Sequence, residues 1–203
     1  MPPITLNGDT GITTPTYNGS DTSEYIVPVT GFKNRIINGA MMIDQRNAGA
    51  SVTPSNSYTL DRWRVYTSQA SKLTAQQNAG SVTPPAGFVN YLGITSSSAY
   101  SITSTDYFFI NQNIEGFNIS DLAWGTANAQ AVTLSFWVRS SLTGTFGGSL
   151  QNATSNRSYP FSYTISVANT WEYKTITIAG DTSGTWVSNT NGVGIQLALS
   201  LGS

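Results

Sequence analysis

The sequence predicts an all-β chain: a jelly-roll-like β-sandwich preceded by an extended N-terminal arm. Three observations carry this. Several segments alternate apolar and polar residues with the two-residue period of a half-buried strand. Gly, Pro, Asn and Asp cluster between them at intervals of about 8–12 residues. Helical signals are nearly absent. At 203 residues the chain has room for one large sandwich. Only 9% of residues are charged, far below the ~25% of an ordinary soluble domain, so the expected surface is wetted by hydroxyls and amides. There is no cysteine, which leaves stability to packing or oligomerisation.

Residues 1–31 are rich in Thr, Gly, Pro, Asn and Asp, with isolated apolar positions at Ile4, Leu6, Ile12, Tyr17 and Tyr25. So few apolar residues bury no core of their own, and the segment is expected to order against a partner chain. The sandwich is expected over residues 32–203. Its first stretch, FKNRIINGAMMIDQRNAGASVT, suits two short strands, with turns at Asn38-Gly39 and Ala48-Gly49. TLDRWRVYTS follows, its strand marked by Leu60, Trp63, Val65 and Tyr66.

The clearest strand is AVTLSFWVRS, with Val132, Leu134, Phe136 and Val138 on one face and Thr133, Ser135, Trp137 and Arg139 on the other. FSYTISV repeats the pattern with Phe161, Tyr163, Ile165 and Val167, and WEYKTITIAG adds Ile176 and Ile178 before a turn at Gly180-Asp181. Trp171 is expected in the core. GVGIQLALSLGS supplies a closing strand. The single helical hint lies in QNIEGFNISDLAWGTANAQ, where Ser120 could cap one turn from Asp121 to Trp124.

The pattern VTLSFWVRSS, then FSYTISVANTWEYKTITIAG, then an apolar strand resembles the jelly-roll carbohydrate-binding modules appended to glycosidases, over residues 85–203. More closely, FKNRIINGAMMIDQRNAGASVTP, YTLDRW, IEGFNISDLAWGTANAQAVTLSFWVRSSLTGTFGGSLQN and RSYPFSYTISVANTWEYKTITIAGDTSGTW resemble a family of phage and prophage tail-fibre-type structural proteins, over residues 32–203. LNGDTGITTPTY resembles the N-terminal arm of such proteins. The resemblance implies a virion component, assembled in the host cytoplasm and homotrimeric. Its arm would dock to other tail or capsid proteins and its sandwich would meet host surface polysaccharide. Members of that family continue beyond the GIQLALSLG strand into another turn and strand. Here a neighbouring chain or further residues would cover that edge.

Nine Lys and Arg against ten Asp and Glu give a net charge of −1, and no run gathers the basic residues into the stripe that nucleic-acid binding requires. No run approaches the ~18 apolar residues of a membrane-spanning helix, and MPPITLNGDTG lacks a signal peptide's regions. Histidine and cysteine are both absent, which removes histidine bases, thiol nucleophiles and the usual zinc ligands. The carboxylates Asp44, Asp61, Asp106, Glu115, Asp121, Glu172 and Asp181 form no paired catalytic motif. The expectation is therefore a protein that is not an enzyme, against the alternative of a polysaccharide depolymerase. A second alternative is a capsid decoration or head-fibre protein that binds no glycan.

The glycan-contact candidates are aromatic, because sugars lay their apolar faces on such rings. Trp137 either packs on a second layer or stands exposed. Trp63, within Asp61-Arg-Trp-Arg64, is either a stacking ring or a core residue flanked by an Arg–carboxylate pair. Trp186 and Tyr173 complete the set. The module resemblance brings a structural calcium ion as an option, but no DxDxD loop is present, and Asp44, Asp106 and Asp181 read as turn residues.

Overall fold

The strands follow the two-residue period because alternate side chains must leave water while their neighbours stay in it. A computed structural model describes residues 33–201 together with two short N-terminal strands, β1 (Thr5–Asn7) and β2 (Gly11–Thr13). The chain divides into two units, Met1–Asn34 and Arg35–Ser203. In the first, β1 and β2 pair antiparallel, Leu6 opposite Ile12. The other arm positions, Ile4, Tyr17 and Tyr25, lie outside the described residues.

The second unit is all-β. Its strands are β3 (Ser57–Leu60), β4 (Trp63–Thr67), β5 (Leu73–Gln77), β6 (Leu92–Ser96), β7 (Phe108–Glu115), β8 (Val132–Val138), β9 (Gly144–Gln151), β10 (Ser158–Ile165), β11 (Glu172–Ile178) and β12 (Val193–Ser200). One layer is a six-stranded antiparallel sheet in the order β10-β9-β12-β7-β4-β3. The facing layer consists of two antiparallel pairs, β11-β8 and β5-β6. Among the described residues, no helix is long and apolar enough to cross a membrane.

The core lies between the layers. Leu60, Trp63, Ile114, Leu150, Phe161, Ile195 and Leu197 from the six-stranded sheet meet Ile178, with Val132, Leu134 and Ile176 packed against them from β8 and β11. A second cluster joins Val65 to Leu73 and Ala75, placing β5-β6 over β4 and β7. Leu60, Val65 and Ile178 are fully buried, and burying each such side chain contributes about 1.5–3 kcal/mol. The alternation expected for β8 is observed, its even positions half-buried and its odd ones exposed.

Four expectations are corrected. Residues 34–50 form turns, not two strands, because side chains take the backbone bonds a partner strand would take. Asn38 adopts φ 54° and its amide bonds both the N–H and the C=O of Ile43. Asp44 accepts from the amides of Asn47 and Gly49, while Gln112, buried in β7, bonds the N–H and C=O of Ile37 at 2.8 and 2.9 Å. Ser120 does not cap a helical turn. It begins a single 3-10 turn, Ser120–Leu122, and its hydroxyl donates to Phe117 O.

Val167 falls beyond the end of β10 and is exposed. Trp171 is half-buried just before β11; its indole N–H donates to Thr83 O at 2.9 Å and its ring packs on the edge of Tyr91, tying the loop before β6 to the start of β11. Strands β5, β6, β7 and β9 are additional to those expected from apolar alternation.

Candidate functional site

The sequence-predicted aromatics separate into two groups. Trp63 is 5% exposed and Trp186 7%, so neither offers a free face to a sugar. Burial wins at Trp63 because β4 alternates inward at Trp63, Val65 and Thr67, and its indole N–H reaches Asn38 O at 3.0 Å. Its neighbours do enter Arg–carboxylate pairs, Arg46 with Asp61 and Arg62 with Glu115. Trp186 packs edge-on to Trp124, centroids 4.7 Å apart, and donates to Asp181 at 3.0 Å. Asp181 also receives Arg157 and Ser183. The Arg157 guanidinium, above all, holds the Asp181 carboxyl well below the usual carboxylate range. This cluster lines a 260 Å³ depression, with Trp124, Tyr159 and Gly180 beside the ion pair.

Trp137 and Tyr173, in contrast, are register partners on the outer face of β8-β11, with centroids 5.3 Å apart and rings tilted by 53°. They are 38% and 55% exposed. The exposed Thr133, Ser135, Thr175 and Thr177 continue the same face. The two rings do not form one flat plane.

A larger feature escaped the sequence reading. The outer face of the six-stranded sheet carries an open groove of about 480 Å³. Its origin is the distribution of side-chain size across four strands. In the middle of the face, Gly147 and Ser149 of β9 lie beside Ala198 and Ser200 of β12, so the floor is low. At one end Tyr66 and Phe109 stand up, stacked at 4.9 Å with planes 17° apart. At the other, Gln151 and Gln196 sit opposite each other in register.

The aromatic end is held by cations. Arg64 lies 4.6 Å from the Tyr66 centroid and 5.2 Å from that of Tyr58, and Arg46 lies over the other ring, 4.9 Å from Tyr58. Tyr107 tilts against Phe109 at 5.9 Å. A run of rings and guanidinium groups therefore walls one end of the groove, held together by cation–π attraction. On the same face the side-chain amide oxygens of Asn111 and Asn113 and Arg64 Nε are buried without a protein hydrogen-bond partner among the described residues. An orphaned group of this kind costs about 1–3 kcal/mol.

Two neighbouring glycines show how the floor is built. A Cβ on Gly148 would meet Phe161 Cζ at 2.5 Å and Ala198 O at 2.7 Å, so Gly148 admits the core ring beneath the sheet. A Cβ on Gly147 would meet only Phe161 O, at 3.8 Å. Packing does not require glycine at 147, and its bareness leaves the floor open.

Asp106 is the carboxylate lining the groove. It accepts from Ser68 Oγ, Gln69 Nε2, Tyr100 OH, and both the amide and hydroxyl of Thr103. The Thr103 amide is the largest of the contacts that hold its carboxyl well below the ordinary range. Asp106 also raises the Tyr100 hydroxyl through their hydrogen bond. Asp44 bonds within its own loop, whereas Asp106 and Asp181 also take donors distant in sequence, Ser68 and Gln69 for the first and Arg157 for the second. Among the described residues, no three acidic side chains converge as metal ligands would.

The signal for the groove was present in FFINQNIE, which sets Phe109, Asn111 and Asn113 on one face of β7, and in GTFGGSLQ, whose glycines mask a strand. Neither shows apolar alternation. No protein family matches the chain, and no curated protein matches it. Among solved structures it is similar to the enzymatically active domain of bacteriophage CBA120 tailspike protein 4, at 13% identity and TM-score 0.46, over 82% of this chain and 19% of that one. It is also similar to a structure described as "CBM4 structure and function", at 14% identity and TM-score 0.42, over 83% of this chain and 89% of that one. These are likenesses of fold alone.

Proposed function

We propose that this chain is a non-catalytic glycan-contacting domain of a virion surface protein of the tail-fibre type, and that the groove across β4, β7, β12 and β9 takes the glycan. The observation that carries the reading is the groove's composition. A floor of Gly147, Ser149, Ala198 and Ser200 lies between stacked Tyr66 and Phe109 and the paired amides of Gln151 and Gln196. Rings take the C–H face of a sugar, and amides bond its hydroxyls as both donors and acceptors. The low charge of the whole chain fits a ligand recognised through hydroxyls.

The non-catalytic part rests on Asp106. Its oxygens are saturated by hydrogen bonds and it is held ionised, so it has no proton to give a leaving group, and among the described residues no second carboxylate lines the groove. The virion part rests on the resemblance of residues 32–203 and of LNGDTGITTPTY to tail-fibre-type proteins. In this reading the first thirty residues dock the domain to tail or capsid proteins.

The test is binding of the full chain to a panel of bacterial surface polysaccharides, alongside Gly147→Phe. Selective binding that the variant loses is the expected outcome. Silence across the panel would favour a decoration role on the shell, and release of reducing ends by the purified protein would overturn the non-catalytic reading.

A further inference from the structure

The 260 Å³ depression beside Asp181 lies where the turn between β9 and β10 meets the segment that follows β11. Asn152, buried at the start of that turn, fixes the two to each other. Its side-chain oxygen accepts from the N–H groups of Asn156 and Arg157, and its amide donates to Thr185 O at 3.0 Å. Arg157 then reaches Asp181. Nε donates to one carboxylate oxygen and Nη2 to the other, and Nη2 donates again to Ser183 Oγ. Gly184, at φ 79°, makes room for the stem, since a Cβ there would collide with Arg157 Cδ.

A guanidinium carries five N–H groups. Here three are engaged, and the two on Nη1 have no protein partner among the described residues. The side chain is 40% exposed. The Asp181 oxygens, by contrast, are also taken by the Trp186 indole and by the amide and hydroxyl of Ser183. The depression therefore offers a fixed, unspent donor and no free carboxylate oxygen.

Trp124 and Trp186 are nearly buried, so they leave room for a small apolar group and no face for a sugar ring. Tyr159 and Ala179, both exposed, form the rim. A carboxylate ligand would meet Arg157 but lie beside Asp181, whose like charge opposes it. An ammonium would find the carboxylate already bonded. A neutral acyl group suits both halves: its carbonyl accepts from Nη1 and its methyl leaves water against the indoles. The depression also adjoins the groove. Ser158 on its lining sits opposite Gln151, which lines the groove, one strand spacing of ~4.8 Å away.

We propose that this depression is a subsite for an N- or O-acetylated sugar of the glycan held by the groove, with Arg157 Nη1 as the donor to the acyl carbonyl. The proposal rests on the reading of the chain as glycan-contacting, and its test reads the two places separately.

The isotope-labelled full chain and Gly147→Phe are titrated with N-acetylglucosamine, an O-acetylated glucose, glucose and glucuronate. The indole N–H signals of Trp124 and Trp186 report the depression, and the amides of Ser149 and Ser200 report the groove. At least one acetylated sugar should shift the indole signals in both proteins, and which one does so identifies the linkage. Glucose and glucuronate should act at least about fivefold more weakly, the ratio that one hydrogen bond sets. Arg157→Lys keeps a cation for Asp181 and should weaken the effect about fivefold. Ala179→Leu narrows the mouth from an exposed position and should abolish it with the fold intact. Indole signals that ignore both acetylated sugars, follow glucose or glucuronate equally, or persist in Ala179→Leu would overturn the proposal. If the groove amides of the wild type move while the indoles stay still, the subsite fails and the groove stands; the reverse would overturn the groove and keep the subsite.

Discussion

Tyr66 and Phe109 stack across the β4-β7 ladder at 4.9 Å, with Arg64 lying over the Tyr66 ring. The pair is half-buried, faces away from the core, and walls one end of the groove. Removing Phe109 should therefore act on binding more than on folding. Phe109→Ala is predicted to weaken glycan binding about tenfold, or about 1.4 kcal/mol. It should lower stability by about 0.5–1.5 kcal/mol through loss of the ring pair. Titration calorimetry and chemical denaturation measure the two effects separately.

Adjacent glycines should behave oppositely. Gly148→Ala drives a methyl toward Phe161 Cζ and Ala198 O and is predicted to cost about 1–3 kcal/mol of stability. Gly147→Phe has space on the outer face and an ordinary backbone conformation, so it should change stability by less than about 1 kcal/mol while filling the groove. Urea denaturation of both variants decides the matter, and equal losses would mean that the floor is misdescribed.

The four aromatics singled out from the sequence should sort by depth. Trp63→Ala is predicted to cost about 3–5 kcal/mol, as a large core truncation does. Trp137→Ala and Tyr173→Ala should each cost less than about 1.5 kcal/mol, since what they lose is an exposed ring contact. Thermal unfolding of the three variants gives the comparison.

Stability should be flat between pH 5 and 8 and fall in acid. No histidine is present to titrate in that window. Asp106, Asp181 and Glu172 all have carboxyls lowered in the folded state, by the Thr103 amide, Arg157 and Lys174 respectively. A lowered folded value means the unfolded chain binds protons first. Their contribution is then complete above the ordinary carboxylate range and is lost as pH falls below about 4. Asp181→Asn should shallow that acid loss. Denaturation midpoints at successive pH values check both the plateau and the slope.

The layers were legible in the sequence where apolar alternation is clean. Val132 to Val138 and Glu172 to Ile178 supplied β8 and β11 on the expected faces. Legibility failed where another force overrides the pattern. Gly147 on the groove face and Gly148 under the core ring hide β9, and amides hide β7, Asn111 and Asn113 on the groove face and Gln112 on the inner one, where it bonds Ile37. In residues 34–50, Asn38, Asp44 and Gln112 satisfy the backbone with side chains, and turn residues that resembled a hairpin became a string of turns. The exposed Trp137–Tyr173 pair was within reach of alternation. The burial of Trp63 and Trp186 depended on partners distant in sequence, Asn38 for the first and Trp124 for the second.

Nuclear magnetic resonance titration of the isotope-labelled full chain with an oligosaccharide that it binds tests the central claim most directly. The amides of Gly147, Ser149, Ala198 and Ser200 are expected to shift, with those of Tyr66 and Phe109, while β8 and β11 stay still. Shifts confined to Trp137 and Tyr173, or to residues away from the six-stranded sheet's outer face, would contradict the groove as the glycan site.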